Sequence, residues 1–169
     1  MRASVTHFVV VATFILATGE ISLAQNQPNN HDELNKHLGW VIGEWSAEMT
    51  APDGQVQKTR AKYQWVAQKQ VIRLDLEIGP WEGLSMIHWD PSDRTIKMWG
   101  ANSAGGNGQA TMRVAGEDLV WTNTVYDMDG KKTVSDFVYQ KQDARTMLVK
   151  YTDAEDGKQK TVKCSKIGD

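Results

Sequence analysis

The stretch Leu38-Gly39-Trp40-Val41-Ile42-Gly43-Glu44-Trp45, LGWVIGEW, is where the pattern of the chain changes. Before it, apolar Leu34, Leu38 and Val41 recur at spacings of four and three, which place them on one face of a helix. Asn30 followed by Glu33 has the spacing of a capping box, and Gly39 and Gly43 are residues at which a helix ends. After Gly43 the period becomes two: Trp45, Ala47 and Met49 alternate with Glu44, Ser46 and Glu48. Such alternation belongs to a strand with one apolar and one wet face. A short helix over 31–41 therefore leads directly into a first strand.

The alternation then repeats to the end of the chain. APDG from Ala51 has proline and Asp-Gly in turn positions. Beyond it, Thr59, Ala61, Tyr63 and Trp65 alternate with Lys58, Arg60, Lys62 and Gln64. Ile72, Leu74, Leu76 and Ile78 alternate with Arg73, Asp75 and Glu77. GPWEG, 79–83, reads as a turn, and further strands are expected over 84–89, 95–102, 109–114, 119–126, 132–141, 145–152 and 159–166. That makes about ten short strands over 43–166, joined by short turns. An open sheet of that size would leave two bare edges, which invite aggregation. The expected fold is all-β: an up-and-down antiparallel barrel of about ten strands with a short N-terminal helix. A barrel of this size can hold one small ligand. Trp45 would be the first inward residue and Trp40 would end the helix beneath it, so that the two rings seal the barrel floor. Gly43 would let the chain pass from helix to strand close against a ring.

The domain begins some way into the 169-residue chain. Arg2 and His7 precede an unbroken apolar run, Phe8 to Ala17, and Ser22-Leu23-Ala24 puts small residues where a signal peptidase reads. Residues 1–24 are expected to be a signal peptide, 25–30 a flexible leader and 31–169 a single barrel domain. The apolar run is too short for a membrane span, which needs about 20 residues. An exported protein, periplasmic or extracellular, follows, with no membrane insertion once the signal is removed. The formal net charge is −2, which argues against a nucleic-acid partner. Cys164 is the only cysteine, so no internal disulfide can staple the fold. It reads as a half-buried strand residue.

GEW after a short helix looks like the Gly-x-Trp opening of lipocalins and other calycins. LGWVIGEW, together with HWDPSDRTIKMWGANSAGGNG from His88, resembles more closely a family of secreted, lipocalin-like bacterial proteins of uncharacterised function. That family has a Leu-x-Trp-Leu-Val-Gly-x-Trp start. It also has a Tyr/Trp-Asp-Pro…Trp…Asp/Asn-Ser-x-Gly-Gly hairpin, matched at Trp89-Asp90-Pro91 and at Trp99 to Gly106. The likeness covers most of the chain after residue 24. It implies a calycin-type barrel and carries no activity with it. Lipocalins proper place an arginine on a late strand over the opening tryptophan; here the last strand offers Lys160, Lys163 and Lys166.

Few residues suggest chemistry. His88 shares a strand face with Leu84 and Met86, which would point it into the barrel, where a histidine can act as a base or ligate haem iron. No second ligand or acid partner is identifiable. Arg73, Asp75 and Glu77 read as a solvated strand face rather than paired catalytic carboxylates. Asp127 to Gly130 and Asp153 to Gly157 lack the twelfth-position glutamate of an EF-hand and read as hairpin turns. The seven tryptophans are the distinctive feature. Some belong to the core, and others suit the wall of an apolar pocket. The expected pocket residues are Tyr63, Trp65, His88, Trp99 and Trp121, around a small, largely apolar molecule, with no catalysis, metal or cofactor. The alternatives are an isomerase or hydrolase using His88 in the same cavity, and a structural module whose barrel is filled by side chains.

Overall fold

The computed structural model describes residues 30–50, 54–153 and 157–169. The expected signal peptide, 1–24, and all of the expected leader except Asn30 lie outside the described residues. The first helix, α1 (Asn30–Leu38), continues into a single 3₁₀ turn (Gly39–Val41). Ten strands follow: β1 (Gly43–Thr50), β2 (Val56–Val66), β3 (Val71–Ile78), β4 (Trp81–Asp90), β5 (Thr95–Asn102), β6 (Asn107–Ala115), β7 (Asp118–Tyr126), β8 (Lys132–Lys141), β9 (Thr146–Thr152) and β10 (Gln159–Gly168). Each strand pairs antiparallel with the next, and β10 returns to β1, closing the barrel. The expected up-and-down barrel is therefore the observed architecture. At the closing seam Trp45 pairs with Lys166 and Ser46 with Ser165, with a register shift between Glu44 and Trp45.

Several strands begin earlier than the residue pattern suggests. β4 starts at Trp81, so the turn before it is Gly79-Pro80 alone, and β6 starts at Asn107. Between β2 and β3 the chain reverses through Ala67, Gln68 and Lys69, all at positive φ.

The helix plugs one end. Leu34, Leu38 and Val41 are buried against a core that includes Trp45, Tyr63, Ile72, Ile87 and Trp121. The Trp45 indole N–H donates to the Val41 carbonyl at 2.7 Å, tying the plug to the first strand. The Trp40 ring meets the Trp45 ring edge-on, 6.3 Å between centroids. Lys141 Nζ lies 6.0 Å from the centre of the Trp40 ring. Gly43 sits at φ +117°, and a Cβ there would fall 2.5 Å from the Gly168 carbonyl oxygen and 2.6 Å from Lys166 Cε. A side chain at 43 would thus force apart the strands that close the barrel, besides the strain of its backbone conformation.

Candidate functional site

The pairing register assigns every strand residue to the lumen or the outer wall. One inner row runs Tyr63, Leu74, Ser85, Gly100, Gly108, Val125 and Thr133 across β2 to β8. A second runs Trp89, Ile96, Met112, Trp121, Phe137 and Tyr151. Large residues dominate toward the helix, whereas the middle of the first row holds serine and two glycines. Gly83, next along the inner face of β4, pairs with Leu76 and Asn102.

That local loss of side chains leaves a cavity of about 200 Å³ in the half of the barrel away from α1. Trp81, Met98, Trp121, Val125, Phe137 and Tyr139 supply its apolar surface. Ser85, Asn102 and Asn123 supply polar atoms. The glycines are required by the packing. A Cβ on Gly83 would lie 2.7 Å from the Trp81 ring, and one on Gly100 would lie 2.3 Å from Ser85 Oγ and 2.6 Å from the Leu84 carbonyl oxygen. Asn102 Oδ1 accepts the backbone N–H groups of Ala104 and Gly106, which fixes the β5–β6 turn at the rim. Asn123 makes one long contact from Nδ2 to the Trp121 carbonyl, 3.4 Å.

Toward the helix the lumen is filled. A residual gap of about 10 Å³ among Leu38, Val41, Tyr63, Tyr139 and neighbours is no larger than one water molecule needs. Tyr63 and Tyr139 meet hydroxyl to hydroxyl at 3.4 Å. Burial raises the pKa of both phenols, most strongly that of Tyr63. Burial likewise pushes the Cys164 thiol up to about 11, so it stays protonated and unreactive at neutral pH.

The five expected pocket residues separate into three groups. Trp121 is 3% exposed and lines the cavity. Tyr63 and Trp65 face inward but nearer the helix, Tyr63 lining only the small gap and Trp65 packing 4.8 Å from the His31 ring. His88 and Trp99 are on the outer wall, contrary to the sequence expectation. His88 belongs to the row Lys97, Thr111, Thr122 and Asp136, all outward. Trp99 pairs with Met86 and Gln109 and is 56% exposed. Strand β4 carries apolar side chains on both faces, so alternation alone does not say which face is inside. The pairing of Ile87 with Ile72 and Met98 decides it, and it turns Leu84, Met86 and His88 outward. The residues that the sequence reading missed are Trp81, assigned there to a turn, and Met98, Asn123 and Phe137. Glycines at 83, 100 and 108, each in an inward position of a strand, were the available signal of a hollow.

The outer wall is a charged surface. Over β1 to β5 lies a larger recess of about 710 Å³, among Glu44, Arg60, Lys62, Arg73, Asp75 and Glu77. Arg60 pairs with Glu44, and Arg73 donates to Asp75 Oδ1 through Nε at 2.9 Å and through its terminal nitrogen at 2.8 Å. Paired charges on a solvated wall offer a ligand little that water does not, so the smaller, apolar lumen is the better candidate site. At the β4–β5 turn, near the helix end, Lys97 Nζ bridges Asp90 at 2.7 Å and Asp93 at 2.5 Å. Hydrogen bonds from Lys97 hold both carboxyls below their ordinary pKa.

No protein-family model matches the chain, and comparison with curated proteins found no match.

Proposed function

We propose that this is an exported, calycin-like barrel that binds a small, largely apolar molecule in the open half of its lumen, without catalysis. The observation that carries the reading is the cavity of about 200 Å³ walled by Trp81, Met98, Trp121, Val125 and Phe137. Removing apolar ligand surface from water supplies the driving force, about 25 cal/mol per Å². Ser85 and Asn123 offer hydrogen bonds that fix orientation. Outward His88 has no access to the cavity, which argues against an enzyme built on that residue. The apolar run Phe8–Ala17 and the small residues before Gln25 support export.

Titration of the purified protein with neutral apolar dyes tests the binding, with the dye emission and the tryptophan emission both followed. Two tryptophans, Trp81 and Trp121, line the cavity. A saturable change in both signals is the expected result; no change with any dye overturns the reading. Expression of the full sequence in a bacterium with an export pathway should yield a protein beginning at Gln25, read by intact mass, and a chain retained whole would refute export.

A further inference from the structure

The cavity has a property that its size and apolarity do not by themselves require: no charged side chain is among its described lining residues. The inward polar side chains there are the neutral Ser85, Asn102, Asn123 and Tyr139. Lys160 on β10 pairs with the inward Tyr151, but it is ion-paired with Asp153 at 3.6 Å and is not among the residues that line the cavity. The Tyr139 hydroxyl carries no positive charge, and it lies 3.4 Å from the hydroxyl of Tyr63, which is outside the cavity lining. A carboxylate or phosphate brought into this lumen would lose its hydration with no opposite charge to replace it, a cost far larger than that of a neutral hydroxyl that finds one hydrogen bond.

Shape narrows the class further. Trp81 on β4 and Phe137 on β8 stand four strands apart around a ring of ten, so they occupy opposing parts of the wall. Between them β5 and β6 present Gly100 and Gly108. Aromatic surfaces on two sides and bare backbone on the third leave room for a ring system rather than a branched or extended chain. An apolar hole of about 150 Å³ elsewhere takes up benzene, so about 200 Å³ suits a somewhat larger ring. Beneath the cavity, toward α1, the gap among Leu38, Val41, Tyr63 and Tyr139 is about 10 Å³, too small for an acyl tail.

Resting on the binding function proposed above, we infer that the cavity selects an uncharged, compact ring compound with one hydrogen-bonding substituent and rejects its carboxylate counterpart. Asn123, inward on β7 and making only the long Trp121 contact, is the side chain placed to meet that substituent.

The test is a matched pair of probes with one ring system, 2-naphthalenemethanol and 2-naphthoate, titrated at pH 7 by calorimetry. Chemical shifts of the Gly100 and Gly108 amides report where each binds. The alcohol should bind at least about ten-fold tighter than the carboxylate and should move both glycine amides. Asn123→Lys, which places a cation at the same point, should reverse the preference. Equal affinities, or tighter binding of naphthoate to the unaltered protein, overturn the selection for neutral ligands and leave the binding site standing. If neither probe binds and neither amide moves, both the selectivity and the binding reading fail. If Asn123→Lys folds, shown by an unchanged far-ultraviolet dichroism spectrum, and still prefers the alcohol as strongly, the assignment to Asn123 is wrong.

Discussion

Replacing Cys164 by alanine tests the account of the core through its response to alkali. The thiol is buried beside the Tyr63 and Tyr139 phenols, and its pKa rises from 9.0 to about 11 because the charged form would be stripped of water. A raised folded-state pKa means that the folded protein keeps a proton the unfolded chain releases. The stability tied to that proton is complete below pH 9 and is lost as pH rises toward 11. Two pH units at about 1.36 kcal/mol each give a loss of about 3 kcal/mol. The alanine variant lacks this titration. It carries a roughly constant penalty from lost packing, and it also loses the repulsion that the Cys164 thiolate exerts on the Tyr63 and Tyr139 phenols. Urea unfolding under reducing conditions at pH 8, 9, 10 and 11, followed by tryptophan emission, gives the difference between the two proteins at each pH. That difference should shift by about 2 kcal/mol from pH 8 to pH 11, the remainder of the two-unit loss coming above pH 11. If it stays constant across the range, the thiol is not desolvated and the packing described around it is wrong.

Three further outcomes follow from the same structure. Trp45→Ala removes a ring that is 1% exposed and the hydrogen bond that ties β1 to the plug, and it should cost about 3–5 kcal/mol in urea unfolding; a loss under 1 kcal/mol would contradict its place in the floor. Gly100→Ala puts a methyl group 2.6 Å from the Leu84 carbonyl oxygen and should destabilise by about 1–3 kcal/mol, although helix and strand propensities alone favour alanine; a neutral or stabilising result refutes the close approach of β4 and β5. Asp90 and Asp93 have depressed folded-state pKa values, so their contribution to stability is present above the ordinary 3.8 and is lost as pH falls below it; Lys97→Met should flatten this acid limb, and an unaltered limb in denaturation between pH 5 and 2 would show that the triad does not act.

The sequence reading reached the barrel because nearly every strand pattern has the same period and the turns are short. It also placed Gly43, Trp40 and Trp45 correctly at the helix-to-strand corner, where side-chain size and backbone sterics are local matters. The cavity was harder to read. In a packed strand the apolar face is the inner one, so Leu84 and Met86 point His88 inward on sequence grounds, while Trp99 suits a pocket wall only as a large aromatic residue. Around a hollow that logic weakens, since an inner face left partly empty carries Gly83, Ser85, Gly100 and Gly108 instead of bulk. The side that looks less hydrophobic is then the inside. Only the pairing partners, such as Ile87 with Ile72, reveal it. Trp81 was hidden for another reason: it directly follows Gly79-Pro80, and turn residues on one side mask the start of a strand.

Closure of the ring has a consequence for how the chain assembles. Nine of its ten seams join strands consecutive in sequence; the tenth joins β1 to β10. Hairpins form quickly because little chain entropy is lost in bringing neighbours together, so the last seam to form is the one with the longest intervening chain. Until then the molecule is a curled ribbon with two unsatisfied borders. Those borders differ in sign: β1 carries Glu44 and Glu48, whereas β10 carries Lys160, Lys163 and Lys166. Two ribbons meeting by the same border repel, and within one ribbon the unlike borders attract at the high effective concentration of a single chain. The charges along the seam thus steer each half-formed barrel toward its own other end instead of toward a neighbour.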